Sequence, residues 1–419
     1  MKLEFNENQF IEDLKKLISI NSINRDCGAK TADAPLGEGV NDAIEGFLEI
    51  GKRFGFKTKN LDGYCGYIEF GEGEEMLGII AHADTVATGI GWDTDPLECV
   101  LKDGNLYGRG VNDDKGPALL ALYCMDAVAK SGLALKKRVR LIIGGDEESG
   151  TWDCIRRYKE TEELPTVAFS PDAEYPVVFG EKGLLKIRIF SPEKNAPKDL
   201  SVTGGKVINI VPDYAKATAL GNTFEAFGKP AHGSRPELGE NAILKLGDEL
   251  TSAGIDCMAT KLIKISNKDD LNINVRDEES GELSINPSIF YADSTFCEMK
   301  YDIRYPITLD GEEITENLTK AAEALGFSVE VMFHDKPLYV PKNSHLVKTL
   351  SEIYKEETGD ETEAIAIGGG TYAKAFPNCV AFGTVFPGDD ETAHAPNEYW
   401  SLESIRKNFR IISEAIIRL

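Results

Sequence analysis

Three apolar runs in this chain end on acidic or imidazole side chains instead of ordinary turn residues. LGIIAHADTV closes on His82 and Asp84, VRLIIGGDEESG on Asp146, Glu147 and Glu148, and TVAFSPDAEYP on Asp172. A short buried strand that stops this way delivers charged groups to one end of a sheet. In open α/β sheets that end, beyond the carboxyl termini of the strands, is the crevice where ligands sit. The pattern therefore constrains the fold and the place of any site together. Alternation along an extended chain puts positions 82 and 84 on one side of their strand. Three consecutive acids after an apolar strand are costly to place without cations to neutralise them. A solvated acidic turn is the plainer account of the same residues.

LYGRGVNDDKGPALLALYCMDAVAK sets Asp113 and Asp114 at the head of an apolar helix predicted from Lys115 to Lys130. Carboxylates there meet the positive end of the helix dipole, and Asp-Asp-Lys-Gly-Pro is also an ordinary helix start. A single carboxylate can equally bridge two cations, one oxygen for each, and Asp113 is the candidate. A metal-ligating His82 needs a carboxylate or carbonyl at its other ring nitrogen to fix the tautomer, and Asp84 is placed to supply it. Adjacent Glu147 and Glu148 can divide their work, one holding metal while the other takes a proton from an activated water. Far downstream, DDETAHAPNEYW adds His394 ahead of a C-terminal helix.

At 419 residues the chain is long enough for two domains. Its 46 basic and 70 acidic residues leave a formal charge of −24, which opposes binding to nucleic acid or to an acidic membrane surface. MKLEFNENQFIEDLKKLI reads as a charged amphipathic helix and not as a signal peptide, and no apolar span of ~20 residues is present. The eight cysteines form no CxxC pair, and several lie within apolar segments. They read as buried thiols in a reducing compartment, so a soluble cytoplasmic protein is expected.

Residues 1–176 alternate strands and helices, the pattern of an open, mostly parallel sheet with helices on both faces. From 177 the pattern changes to α+β. LLKIRIFSP alternates like a half-buried strand, 222–234 reads as another, and 241–254 is an amphipathic helix opened by a Gly-Glu turn. SIFYADSTFCEMKYDIRYP gives two strands, GEEITENLTKAAEALG a helix stopped by glycine, and FSVEVMFHD a last strand. The acids at 269–270 and 277–279 read as solvated loop, and the α/β pattern resumes at 337 and runs to 419. The expected fold is thus an α/β catalytic domain, 1–176 plus 337–419, interrupted by an α+β lid domain, 177–336.

HAD, GRGVNDDKG, DEESG, SPDAEYP, GKPAHGSRPELGENA and AHAPNE follow one another in this chain from end to end. In that order they resemble the motifs of the co-catalytic zinc metallopeptidases that include bacterial peptidase V, carboxypeptidase G, acetylornithine deacetylase and succinyl-diaminopimelate desuccinylase. The likeness is greatest to peptidase V-type dipeptidases, through GRGVNDDKGP, SPDAEYP, DIRYP and IGGGTYAK. The resemblance implies two divalent metal ions, zinc first and manganese or cobalt as alternatives, with Asp113 bridging them. His82 and Asp172 would complete one site, Glu148 and His394 the other. Glu147 would serve as general base and then general acid, and Asp84 would orient His82. A cis peptide after the bridging aspartate, here Asp113–Asp114, is implied as well. His232 resembles the histidine that reaches the substrate oxyanion, and Arg304 the arginine that binds the substrate carboxylate. Asn209 is a further hydrogen-bond candidate. The run AIGGGTYAK offers backbone N–H groups at Gly369, Gly370 and Thr371 that suit an anion. His334 and His345 match no site and read as structural.

The expected activity is therefore metal-dependent hydrolysis of short unblocked peptides by a dipeptidase. An N-acyl-amino-acid amidohydrolase would use the same centre and differ only around the leaving amine. A non-catalytic binding protein on the same fold would have lost Glu147 or a ligand, and none is lost. A monomer is expected, because the long insert resembles the lid with which peptidase V imitates both halves of a dimer; a homodimer is the alternative.

Overall fold

The strand Met76–His82 is buried at every position, and Arg138–Gly144 at all but its first. Burial on both faces marks the middle of a covered parallel sheet. The two strands pair in parallel with His82 opposite Gly144. Val167–Ser170 joins in parallel on the other side of Met76–His82, and Cys379–Ala381 follows it, also in parallel. Antiparallel strands flank this parallel core: Cys65–Gly71 and Lys57–Leu61 at one side, Val178–Glu181 at the other. With nine α-helices among the described residues, the architecture is mixed α/β around a mostly parallel core.

This computed structural model describes residues 3–23 and 26–419. The chain divides into two compact units. The first takes Met1–Phe179, Val340–Ile365 and Thr371–Leu419; the second takes Gly180–Tyr339 and Ala366–Gly370. Among the described residues no helix is long and apolar enough to cross a membrane. All eight cysteines are buried and free.

In the first unit, the helix Lys115–Lys130 begins and ends where the apolar pattern predicts, and every residue from Lys115 to Val128 is buried. Asp114 stands at its N-cap position, yet its side chain makes no capping bond. The carboxylate turns instead to the backbone N–H of His82, 2.9 Å away. The Asp113–Asp114 peptide is cis, as the resemblance implies.

The helix Glu7–Ile18 buries Phe10, Leu14, Leu17 and Ile18, and with them Asp13. That carboxylate accepts hydrogen bonds from Arg53 and from the Tyr123 hydroxyl. Burial alone would raise its pKa, but Arg53 and Tyr123 outweigh it and hold the carboxyl below its ordinary value. Asp13→Ala strands a half-exposed guanidinium and a buried hydroxyl, so it should cost about 1–3 kcal/mol, read as a lower urea midpoint at pH 7. A carboxyl depressed in the folded state stabilises above its unfolded pKa and loses that contribution as pH falls through the folded value. The gap between wild type and variant should therefore close as pH drops below about 3.9.

The second unit is built on a seven-stranded antiparallel sheet. Its order is Asn222–Phe227, Tyr214–Ala219, Ser201–Gly204, Ser284–Asp293, Phe296–Tyr305, Gly183–Pro192, Ser328–Asp335. Gly183–Pro192 alternates buried and half-buried positions, as a strand with one covered face does. Leu185, Ile187 and Ile189 share a core with Ile243 and Leu246 of the helix Ala242–Ser252 and Leu318 of Gly311–Ala324. The strand expected over 222–234 stops at Phe227. A Cβ on Gly228 would lie 1.9 Å from the Glu240 carbonyl, and Pro230 has no N–H to offer a ladder. The following helix is opened by Asn241, whose side chain accepts from Ile243 and Leu244, and not by a Gly-Glu turn. Asp277 is no solvated loop acid either, since it accepts hydrogen bonds from Ser280 and Thr308. His334 bonds the Tyr305 hydroxyl at 2.9 Å, a structural role like that of His345 beside Thr349.

Candidate metal centre

The carboxyl ends of three neighbouring parallel strands, Met76–His82, Arg138–Gly144 and Val167–Ser170, lead directly into His82, the Asp146–Glu148 segment and Asp172. Two loops complete the group, one bringing Asp113 ahead of the Lys115 helix and the other His394. Asp113 Oδ1 lies 3.1 Å from His82 Nε2, and Asp113 Oδ2 lies 2.8 Å from His394 Nε2. Asp172 comes within 3.7 Å of His82 Nε2, and Glu148 within 3.1 Å of His394 Nε2. The donor atoms fall into two sets, His82–Asp113–Asp172 and Asp113–Glu148–His394, each within 4.8 Å. Asp113 belongs to both, with a different oxygen in each.

Electrostatics at this cluster are strongly perturbed. Burial pushes the Asp172 carboxyl up to about 7, with Asp113 adding to the effect. Burial likewise raises Glu148, and it raises Glu147 well above the usual carboxylate range. Burial also works against an ionised Asp113, but His394 and His82 outweigh it and hold that carboxyl low. Hydrogen bonds to Asp113 and Glu148 lift the His394 imidazole to about 11. Such crowding of acids out of water calls for positive charge. The fit to a cation rests on one further atom: His82 Nε2 is buried, faces two carboxylates and makes no well-aligned hydrogen bond. A mixed imidazole and carboxylate set of this kind suits divalent metal ions.

The supports of these side chains are partly those expected. His82 Nδ1 is 2.9 Å from the backbone oxygen of Asp84, while the Asp84 carboxylate stands 3.5 Å off. That carboxylate accepts the N–H groups of Glu147 and Glu148, each at 3.1 Å. Asp84 thus steadies the ring through its carbonyl and the glutamate pair through its side chain. Asp146 takes no part in either donor set. It accepts from Asp153 N, Cys154 N and the Thr151 hydroxyl, at 2.6, 3.3 and 2.8 Å, and so caps the helix Asp153–Thr161.

The remaining site candidates lie mostly in the second unit: Asn209, His232, Arg304, Gly369 and Gly370 belong to it, and Thr371 to the first. Asn209 O accepts from Gly233 N at 2.7 Å, which ties its loop to that of His232. His232 Nδ1 lies 2.7 Å from the Ser234 hydroxyl, and burial, with Arg304 nearby, keeps the imidazole below its ordinary pKa. Arg304 donates through Nε and Nη2 to the fully buried Asp302, at 2.7 and 3.0 Å, and through Nη1 to Gly368 O at 2.9 Å. One edge of its guanidinium is therefore already paired. The Thr371 hydroxyl accepts from Ala373 N and starts the short turn Tyr372–Ala375.

Sequence reasoning assigned nothing to Tyr372, Arg109 or Glu398, although all three stand in quoted motifs. The Tyr372 hydroxyl lies 3.2 Å from Asp146 N and its ring packs edge-on to His82, at 6.1 Å between centroids. Their motifs flagged them, but nothing in the local sequence says which distant loop each one touches.

A family model described as Peptidase family M20/M25/M40 matches residues 78–418. YtjP of Bacillus subtilis strain 168, named as a candidate dipeptidase, is 34% identical over 452 aligned residues, covering 98% of this chain and 96% of its own. A Staphylococcus epidermidis protein with the same kind of name is 36% identical, over 99% of this chain and 97% of its own. Among solved structures, the aminoacylhistidine dipeptidase of Vibrio alginolyticus superposes with a TM-score of 0.63 at 14% identity, covering 99% of this chain and 97% of its own. Dug1p of Saccharomyces cerevisiae, a di-peptidase, gives 0.62 at 16%, over 98% and 95%. At these identities the two structures speak for the fold.

Proposed function

The chain belongs to peptidase family M20/M25/M40, and from that premise we propose a dipeptidase with two divalent cations, one held by His82, Asp113 and Asp172, the other by Asp113, Glu148 and His394. It is a hydrolase of peptide bonds in short peptides. The observation that carries the metal reading is Asp113, whose two oxygens face two different imidazoles at 3.1 and 2.8 Å. Zinc is the first choice of ion, with manganese or cobalt as alternatives.

When bound, the cations supply Lewis-acid polarisation of the scissile carbonyl and make a water acidic enough to lose its proton near neutral pH. Glu147 takes that proton at its carboxylate and returns it to the leaving amine nitrogen. Its pKa, raised by burial, favours holding the proton until it is passed to the leaving amine. His232 donates to the oxygen that becomes negative, and its depressed pKa keeps the imidazole neutral, with an N–H to offer. Arg304, steadied by Asp302 and by the Gly368 carbonyl, turns its remaining Nη1 and Nη2 hydrogens to the substrate carboxylate. Asn209 adds a further hydrogen bond in this reading, and the backbone N–H groups at Gly369, Gly370 and Thr371 suit an anion. The second unit acts as a lid in this reading.

A monomer is the proposed state, on the resemblance of the long insert to the lid of peptidase V, with a homodimer as the alternative. Location in the cytoplasm is favoured by eight free cysteines.

The test is cleavage of parallel pools of free dipeptides, tripeptides and N-acyl amino acids by metal-reconstituted protein, followed by mass spectrometry. Cleavage confined to free dipeptides and abolished by chelation is the expected result. Preference for N-acyl substrates would move the chain to the amidohydrolase branch. No turnover with metal bound would point to a binding protein.

A further inference from the structure

Glu398 is fully buried and lies four residues beyond His394. Its side chain is enclosed by the loop that carries Asp113. One carboxylate oxygen accepts the backbone N–H groups of Gly110, Asn112 and Asp113 at 3.1, 2.9 and 3.2 Å. The other accepts Nη1 of Arg109, itself buried, at 2.6 Å. Arg109 Nη2 then reaches the carbonyls of Ala87 and Ala395, each at 3.4 Å, and the guanidinium sits 5.3 Å from the Trp92 ring. A single ion pair therefore touches the Asp113 loop, the His394 loop and the segment after His82.

The His394 loop needs such a restraint. His394 has φ 63° and Asn397 φ 60°, the left-handed region that non-glycine residues rarely occupy. Backbone of this kind persists only where surrounding contacts enforce it. His82, by contrast, ends a strand paired on both sides, and Asp172 follows another strand of the same sheet by two residues. Their positions are set by the ladder, while that of His394 is not.

We propose that the Arg109–Glu398 pair is a positioning clamp that holds the Asp113 and His394 loops in the register required by the second metal site, Asp113–Glu148–His394. This inference rests on the two-metal reading above. One oxygen of this buried carboxylate accepts three backbone N–H groups and the other the Arg109 guanidinium, so both are engaged and the side chain has little freedom to shift. The clamp therefore sets geometry without competing for the metal ions. Loss of it should weaken the second ion more than the first, because Asp113 serves both sets but only the second also draws a ligand, His394, from the loop that carries Glu398.

The experiment titrates metal-free full-length protein with Co2+, by calorimetry and by visible absorption, in wild type, Glu398→Gln and Glu69→Gln. The last breaks another buried pair, Arg140–Glu69 at 2.6 Å, and controls for general destabilisation. Wild type and Glu69→Gln should each take two ions. In Glu398→Gln one ion should weaken by roughly 10–100-fold relative to the other, and raised Co2+ should restore turnover. If Glu398→Gln does not fold by circular dichroism, Arg109→Lys, which keeps the charge but loses the forked donor, should show the same asymmetry. Two ions bound as in wild type, or both weakened to the same degree, would overturn the clamp alone. A wild-type chain that takes fewer than two ions would overturn the metal reading and the clamp with it.

Discussion

Glu147→Gln is expected to lower kcat by roughly 10²–10⁴-fold while both metal ions stay bound and KM holds. The argument starts from what Glu147 does not do. Among the described residues, neither donor set includes it, although Glu148 beside it belongs to one. Its backbone N–H is tied to the Asp84 carboxylate at 3.1 Å, a contact that the amide variant keeps. Glutamine has the same shape as glutamate but cannot accept a proton from water. The loss should therefore appear in the chemical step and nowhere else. Burial raises the Glu147 carboxyl well above its usual range, with Asp172 and Glu148 adding their charge, which supports the proposed proton-transfer role. A variant that stays active, or that loses metal along with activity, would remove Glu147 from the base role.

Asp113→Ala should have the larger effect, because it deletes the ligand that both sets share. Metal stoichiometry should fall below two, and activity should drop by more than the ~10⁴-fold upper bound for losing a proton-transfer group. The loss should also be visible without any assay of turnover. A ligand at ~100 times its Kd stabilises the native state by about 2.7 kcal/mol, so zinc should raise the melting temperature of wild type. Asp113→Ala should lose most of that increment, since His82 and His394 then face no common carboxylate. Glu147→Gln should keep it. The two variants together separate a residue that holds metal from one that moves protons. If Asp113→Ala still bound two ions with the full rise in melting temperature, the bridge would lie elsewhere.

Much of this is legible in the sequence. The Lys115–Lys130 helix was readable to the residue because its apolar pattern is continuous and its start is marked by Asp-Asp-Lys-Gly-Pro. The strand ahead of His82 was readable because seven successive buried positions leave no solvent face to interrupt. The strand over 222–234 was overread, because the alternation past Phe227 is cut by a close approach of Gly228 to Glu240 that no local pattern announces. In sequence Asp146 reads with its neighbours as an acid in need of a cation, and the structure satisfies it with the start of a helix instead.

The chain by itself determined which groups could do chemistry and in which strands and turns they would lie, because hydrophobic period and residue type are local properties. Only the tertiary structure decided which of those groups meet. Asp113 and His394 are joined by no local pattern, yet Oδ2 of one comes 2.8 Å from Nε2 of the other. That meeting depends on a parallel sheet that sets three strand ends side by side and on a buried Arg109–Glu398 pair that draws in a loop from near the C-terminus. Contacts of this kind follow from packing and hydrogen-bond geometry across the whole unit, which a linear pattern does not encode.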